Sequence, residues 1–135
     1  MSAPVLAPFN GESVRVDAQG QVTARLPHTV QGFVEPLPAK SAATALGLAM
    51  IEIPAGRFSM GAPRSQGSDE ERPQHLVSVG RFFMARGLVT QAQWQAVMGQ
   101  RANCRFTGGE RPVENIAWGE ARGFCERLAR LTGRA

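Results

Sequence analysis

The spacing of apolar residues changes period twice along this chain, and each change marks a different kind of element. Val14 and Val16 alternate with charged neighbours, the segment Asp17–Gly20 has turn composition, and Gln21–Leu26 resumes the alternation. A small hairpin within residues 1–35 follows from that pattern, with Phe33 and Val34 adding a short strand. Residues 36–48 begin with prolines and continue with small residues, the composition of a linker or a weak helical turn. Next, Ile51 and Ile53 share one face of a strand, and Pro54-Ala55-Gly56 supplies a turn. Phe58 and Met60 alternate on the returning strand, and Gly61 marks a bulge or a close backbone approach. The polar stretch Ala62–Gln74 reads as a surface loop, after which Leu76–Val79 and Arg81–Met84 form short strands around Gly80.

The period then lengthens to that of a helix. Thr90 can cap one, Gln93 completes the capping box three residues on, and Val89 with Trp94 makes a hydrophobic staple. Trp94, Val97 and Met98 share a face, and Gly99 ends the helix. A second helix starts near Trp118, with Ala121, Phe124, Cys125, Leu128 and Leu131 on its apolar side and Gly133 as its stop. Its cap position holds Ala117, which has no side-chain acceptor, although Glu120 suits the first turn. Gln100–Pro112 is a turn-rich loop between the helices. Short strands, two amphipathic helices and many loops make this an α/β (α+β) chain.

Composition narrows the picture. Fifteen glycines and nine prolines in 135 residues argue against a helical bundle. The net charge of +4 would suit a nucleic-acid surface. The arginines are scattered singly among Glu70, Glu71, Glu114 and Glu120, however, so the expectation is no nucleic-acid binding. The longest apolar run, Ala42–Ile53, is too short to span a bilayer and carries Glu52; the N-terminus lacks the basic and apolar regions of a secretory signal. No membrane association and a cytoplasmic location are therefore expected.

Candidate chemistry is sparse. Two cysteines, Cys104 and Cys125, make neither a disulfide framework nor a C-x-x-C ligand pair. Cys125 falls mid-helix on the apolar side and is expected to be buried; Cys104, in a loop beside Arg105, is the better thiol candidate. His75 has no second histidine at ligand spacing, since His28 lies in the N-terminal piece, and is read as a strand-entry residue. Asp69, Glu70 and Glu71 are read as a solvated loop, and Trp94 and Trp118 as helix-start packing residues.

Five segments occur in a telling order. They are I-P-A-G-R-F-S-M-G (Ile53–Gly61), E-R-P-Q-H-L-V (Glu71–Val77), V-T-Q-A-Q-W (Val89–Trp94), R-P-V-E-N-I-A-W-G-E-A (Arg111–Ala121) and G-F-C-E-R-L (Gly123–Leu128). The series resembles the first half of the formylglycine-generating, sulfatase-modifying-factor family, over residues 49–135, with 1–35 as an extension and 36–48 as a linker. The resemblance implies an incomplete C-type-lectin-like fold. Relatives that generate formylglycine use copper and dioxygen to oxidise a sulfatase cysteine, with a copper-binding cysteine pair and calcium sites in a second half beyond these motifs. Neither Cys104 nor Cys125 matches that pair, so the resemblance implies no catalytic, cofactor or metal residue here and no oxidase activity for this chain by itself. It also implies a sulfatase-type or other protein partner, and self-association wherever the apolar surface of a half-domain is left open. The alternative within the family is a non-catalytic module that binds ligands or proteins. A third relative, the iron-dependent sulfoxide synthase of ergothioneine biosynthesis, carries a helical His-bearing domain upstream, unlike the strand-like residues 1–49 here.

Overall fold

The computed structural model describes residues 3–38 and 46–134. Six strands and two helices follow one another as β1 (Ala7–Val16), β2 (Val22–Pro36), β3 (Gly47–Ile53), β4 (Gly56–Met60), β5 (His75–Val79), β6 (Phe82–Ala85), α1 (Gln91–Met98) and α2 (Trp118–Thr132). One sheet has the order β1-β2-β3-β6, and β4 and β5 form a separate antiparallel pair. The chain divides into two compact units, 1–51 with 85–135, and Glu52–Met84.

In the first unit the N-terminal hairpin is longer than the sequence pattern suggests. Its strands run for ten and fifteen residues, and β2 absorbs Phe33 and Val34. Asp17 holds the turn: its carboxylate accepts from the amides of Gln19 (2.9 Å) and Gln21 (2.8 Å), and Gly20 exits at φ 79°. Beyond the turn β2 continues into pairing with β3, from Gly32 opposite Ile51 to Pro36 opposite Gly47. Gly32 is needed there, because a Cβ would come within 2.3 Å of the Met50 carbonyl oxygen. Most of the expected 36–48 linker lies outside the described residues; at its ends, the Leu37 amide donates to the Leu46 carbonyl (2.9 Å).

Leu37, Leu48, Trp94, Val97 and Phe124 are buried together, so the core joins the start of β3 to both helices. Trp94 and Phe124 stack with ring centroids 5.3 Å apart and planes 11° from parallel. Met50, Val89, Val113, Ile116 and Leu128 pack around them, partly buried. The Gln93 side chain ties α1 to the sheet by donating to the Gly47 carbonyl (2.8 Å). At the far end of α2, Arg134 pairs with the buried Glu35 of β2 (2.7 Å) and lies over the Phe33 ring.

The two helix starts differ as their sequences imply. Thr90 accepts from the Gln93 amide (3.2 Å) while Gln93 accepts from the Thr90 amide (2.9 Å), a complete capping box, and Gly99 closes α1 at φ 78°. At α2 only the reverse half forms, with Glu120 accepting from the Ala117 amide (2.8 Å). Ala117 already has the extended backbone that a capping residue needs.

The apolar side of α2 departs from expectation. Phe124 is buried and Ala121 and Leu128 are half-buried, but Cys125 is exposed, Leu131 is 50 % exposed and Trp118 is 77 % exposed. The burial expected for Cys125 and Trp118 is therefore incorrect. The apolar positions span a wider arc than the stripe that α1 and the sheet cover. The Arg122 guanidinium, 5.7 Å from the Trp118 ring centroid, partly shields that ring.

In the second unit, β4 and β5 pair from Gly56 opposite Val79 to Met60 opposite His75. The loop between them contains a short 3-10 helix at Asp69–Glu71 and is drawn closed by the Ala62 amide donating to the Glu71 carbonyl (2.9 Å). Gly61 turns into it at φ 89°, where a Cβ would lie 2.4 Å from the Glu71 carbonyl oxygen. A close approach, rather than a bulge, explains that glycine.

Two stability effects follow. Phe124→Ala removes the ring on which Trp94 rests and should destabilise the chain by about 3–5 kcal/mol, read from urea denaturation. Ala117→Ser should stabilise it by about 0.5–2 kcal/mol, because the backbone is preset and only the acceptor is lacking. An unchanged denaturation midpoint in either variant would contradict this account of the helix pair.

Candidate functional site

The most organised polar region is the connection from Gly99 to Ala117, and Gln91 at the first position of α1 organises it. The Gln91 side chain donates to the carbonyls of Phe106 (2.7 Å) and Pro112 (3.2 Å) and accepts from the Gly108 amide (3.0 Å). Its main chain adds a bond from its own amide to the Arg111 carbonyl (2.9 Å), and the Ala92 amide reaches the Gly109 carbonyl (3.0 Å). A bridge between Thr90 and Pro112, with the Val113 amide on the Val89 carbonyl (2.8 Å), lays the connection along the entry to α1.

Glu114 and Asn115 fasten the other side. One Glu114 oxygen accepts from the amides of Arg105 and Phe106 (the latter at 3.1 Å), and Asn115, at φ 57°, donates to the Asn103 carbonyl (2.9 Å). A left-handed backbone is tolerated by asparagine more readily than by most residues. The polar pair in the R-P-V-E-N segment thus clamps a loop. These roles for Gln91, Glu114 and Asn115 were not anticipated from sequence, since a side chain bonding to distant main chain leaves no periodic signature.

Between the start of α1 and this connection lies a cleft of about 330 Å³, lined by Gln91, Ala92, Gln95, Arg101, Thr107 and the Gly108-Gly109 pair among others. Gln91 is committed to the main chain. The side chains of Gln95, Arg101 and Thr107 make no hydrogen bond or ion pair among the described residues.

The residues considered from sequence do not converge. Cys104 is half-buried and its thiol donates to the Glu114 carbonyl (3.6 Å), whereas Cys125 is exposed on α2; both are free thiols. Trp94 belongs to the core and Trp118 to the surface. His75 is exposed at the start of β5, its Nδ1 3.0 Å from the Pro73 carbonyl; His28 lies on β2 in the other unit. Asp69 pairs with Arg72 (2.6 Å), and a hydrogen bond from Ser68 holds the exposed Glu70 carboxyl below its usual range, the opposite of what a general acid needs. No three His, Cys, Asp or Glu residues gather into a metal site among the described residues, and none of the described helices is long and apolar enough to cross a membrane.

Comparison with known proteins bears on the same segments. A chaperone protein LppX of Paenibacillus barcinonensis is 41 % identical over 49 residues, which are 36 % of this chain and 17 % of that protein. The match thus spans about a sixth of the length of this curated relative. No solved structure matches significantly. The family model for the sulfatase-modifying factor enzyme 1-like domain matches residues 35–132, from the end of β2 to the end of α2. With most of its length matched, including both helices and the clamped loop between them, this α+β chain belongs to the sulfatase-modifying factor enzyme 1-like domain family.

Proposed function

We propose that the chain supplies the N-terminal scaffold of a sulfatase-modifying-factor domain with a C-type-lectin-like fold, and that it does not oxidise cysteine by itself. The observation that carries this reading is the open side of α2. Trp118 and Cys125 are exposed on the side of α2 that adjoins Phe124, the residue packed on Trp94, with the Arg122 guanidinium lying over part of the Trp118 ring. Exposed apolar side chains beside a packed stripe suit an interface still to be filled. On this reading the remainder of the domain fills it.

The donor groups present do not suit the family's copper. Copper(I) favours soft thiolate ligands. The Cys104 thiol is bonded to the Glu114 carbonyl, and Cys125 faces solvent from α2 without a convergent partner. Copper and calcium would therefore be held by residues other than these, and no catalytic step is assigned to this chain. A sulfatase-type protein is the substrate this reading implies for the complete domain, in the cytoplasm.

The similarity to a protein named as a chaperone favours a second reading. In it the scaffold is a non-catalytic module of the same family that binds a ligand or a protein, and the open side of α2 is the contact surface. Function resides in the site grafted on a fold, and both readings share the fold.

Incubating the chain with Cu(I), dioxygen and a peptide containing C-x-P-x-R should leave the peptide cysteine unchanged by mass spectrometry; formylglycine in the product would overturn the first reading. Light scattering should show self-association, because Trp118 and Cys125 stay exposed among the described residues. A strictly monomeric species with a sharp, cooperative melt would count against an uncovered interface.

A further inference from the structure

We infer that the cleft beside α1 is a binding site for a small, polar carboxylic acid, the size of an amino acid or a sugar acid. The inference rests on the cleft alone and on neither reading of the domain.

Size sets the first limit. About 330 Å³ lies at the lower end of the range for small-molecule pockets, roughly 300–1,000 Å³. Rigidity is the second point. The wall formed by Phe106–Gly109 is held by two hydrogen bonds of the Gln91 side chain, by the Ala92 amide and by the Glu114 carboxylate. A ligand would therefore meet a formed surface and would not have to order a loop.

The available groups define the chemistry. Arg101 offers a planar, permanently charged set of donors, suited to two parallel bonds with a carboxylate. Gln95 offers both a donor and an acceptor, and Thr107 a hydroxyl. All three are uncommitted among the described residues. The surrounding charge is positive: the segment from Arg101 to Arg111 contains three arginines and one acid, Glu110. Nearby Glu114 is engaged with main-chain amides.

A phosphate suits the cleft less well. Phosphate sites at a helix start use several free main-chain amides. Here the first amides of α1 are taken, that of Gln91 by the Arg111 carbonyl, that of Ala92 by the Gly109 carbonyl and that of Gln93 by the Thr90 hydroxyl. What remains is one guanidinium with neutral polar partners, a set that matches one carboxylate and adjoining hydroxyl or amide groups.

The test is an NMR titration of the full chain with D-glucuronate and with N-acetyl-L-glutamate, followed at the amides of Gly108 and Gly109. D-glucose and inorganic phosphate serve as the neutral and the non-carboxylate comparisons. At least one acid should give saturable shifts, with glucose and phosphate about tenfold weaker or more. Arg101→Gln should weaken the acid by about tenfold or more, whereas Arg130→Gln, which removes the same charge from α2, should leave binding unchanged. Arg101 is exposed and uncommitted, so its replacement should keep the thermal melt of the parent. Absence of saturable shifts with both acids overturns the inference. So does an equal response to glucose or phosphate, or an Arg101→Gln variant that binds as the parent does.

Discussion

The stacked rings of Trp94 and Phe124 are the contact on which the rest of the first unit depends. They fix the distance between α1 and α2, and that distance determines where the connection from Gly99 to Ala117 must run. Gln91 can reach Phe106, Gly108 and Pro112 only because the helix pair holds both ends of the connection in place. The order of causation therefore runs from apolar stacking to polar clamping, and only then to a cleft. Stacked aromatic pairs add about 0.5–1.5 kcal/mol to what their buried area contributes. That is a modest increment, but it is directional, and the clamp needs direction.

Much of this was legible in the sequence because local rules suffice for it. The capping box at Thr90, the stop at Gly99 and the hairpin turn at Asp17–Gly20 are short-range features, set by residues within four positions of one another. The family assignment was legible too, because ordered segments with family spacing survive without any knowledge of contacts.

What periodicity could not supply was the extent of cover over each face. A helical wheel places Cys125 and Leu131 with Phe124, yet it does not say how wide a stripe the neighbouring elements can bury. The answer, that Phe124 is buried and Cys125 and Trp118 are not, depends on where α1 lies. The candidate site was less legible still. Gln91, Glu114 and Asn115 act through main-chain carbonyls and amides 8 to 21 residues away, and such partners have no signature in composition or spacing. Arg101 looked like one scattered arginine among many. Only the uncommitted groups around it set it apart.

One side of α2 is locked into the core while the adjoining side is open. Comparing the alkylation rates of the two thiols under native conditions tests it most directly, since Cys125 lies on the open side and Cys104 is tucked against the Glu114 carbonyl. Cys125 should react at close to the rate of an unfolded thiol in dilute protein, with Cys104 clearly slower. Protection of Cys125 equal to or greater than that of Cys104 would contradict it, and would mean that the apolar side of α2 is covered within this chain.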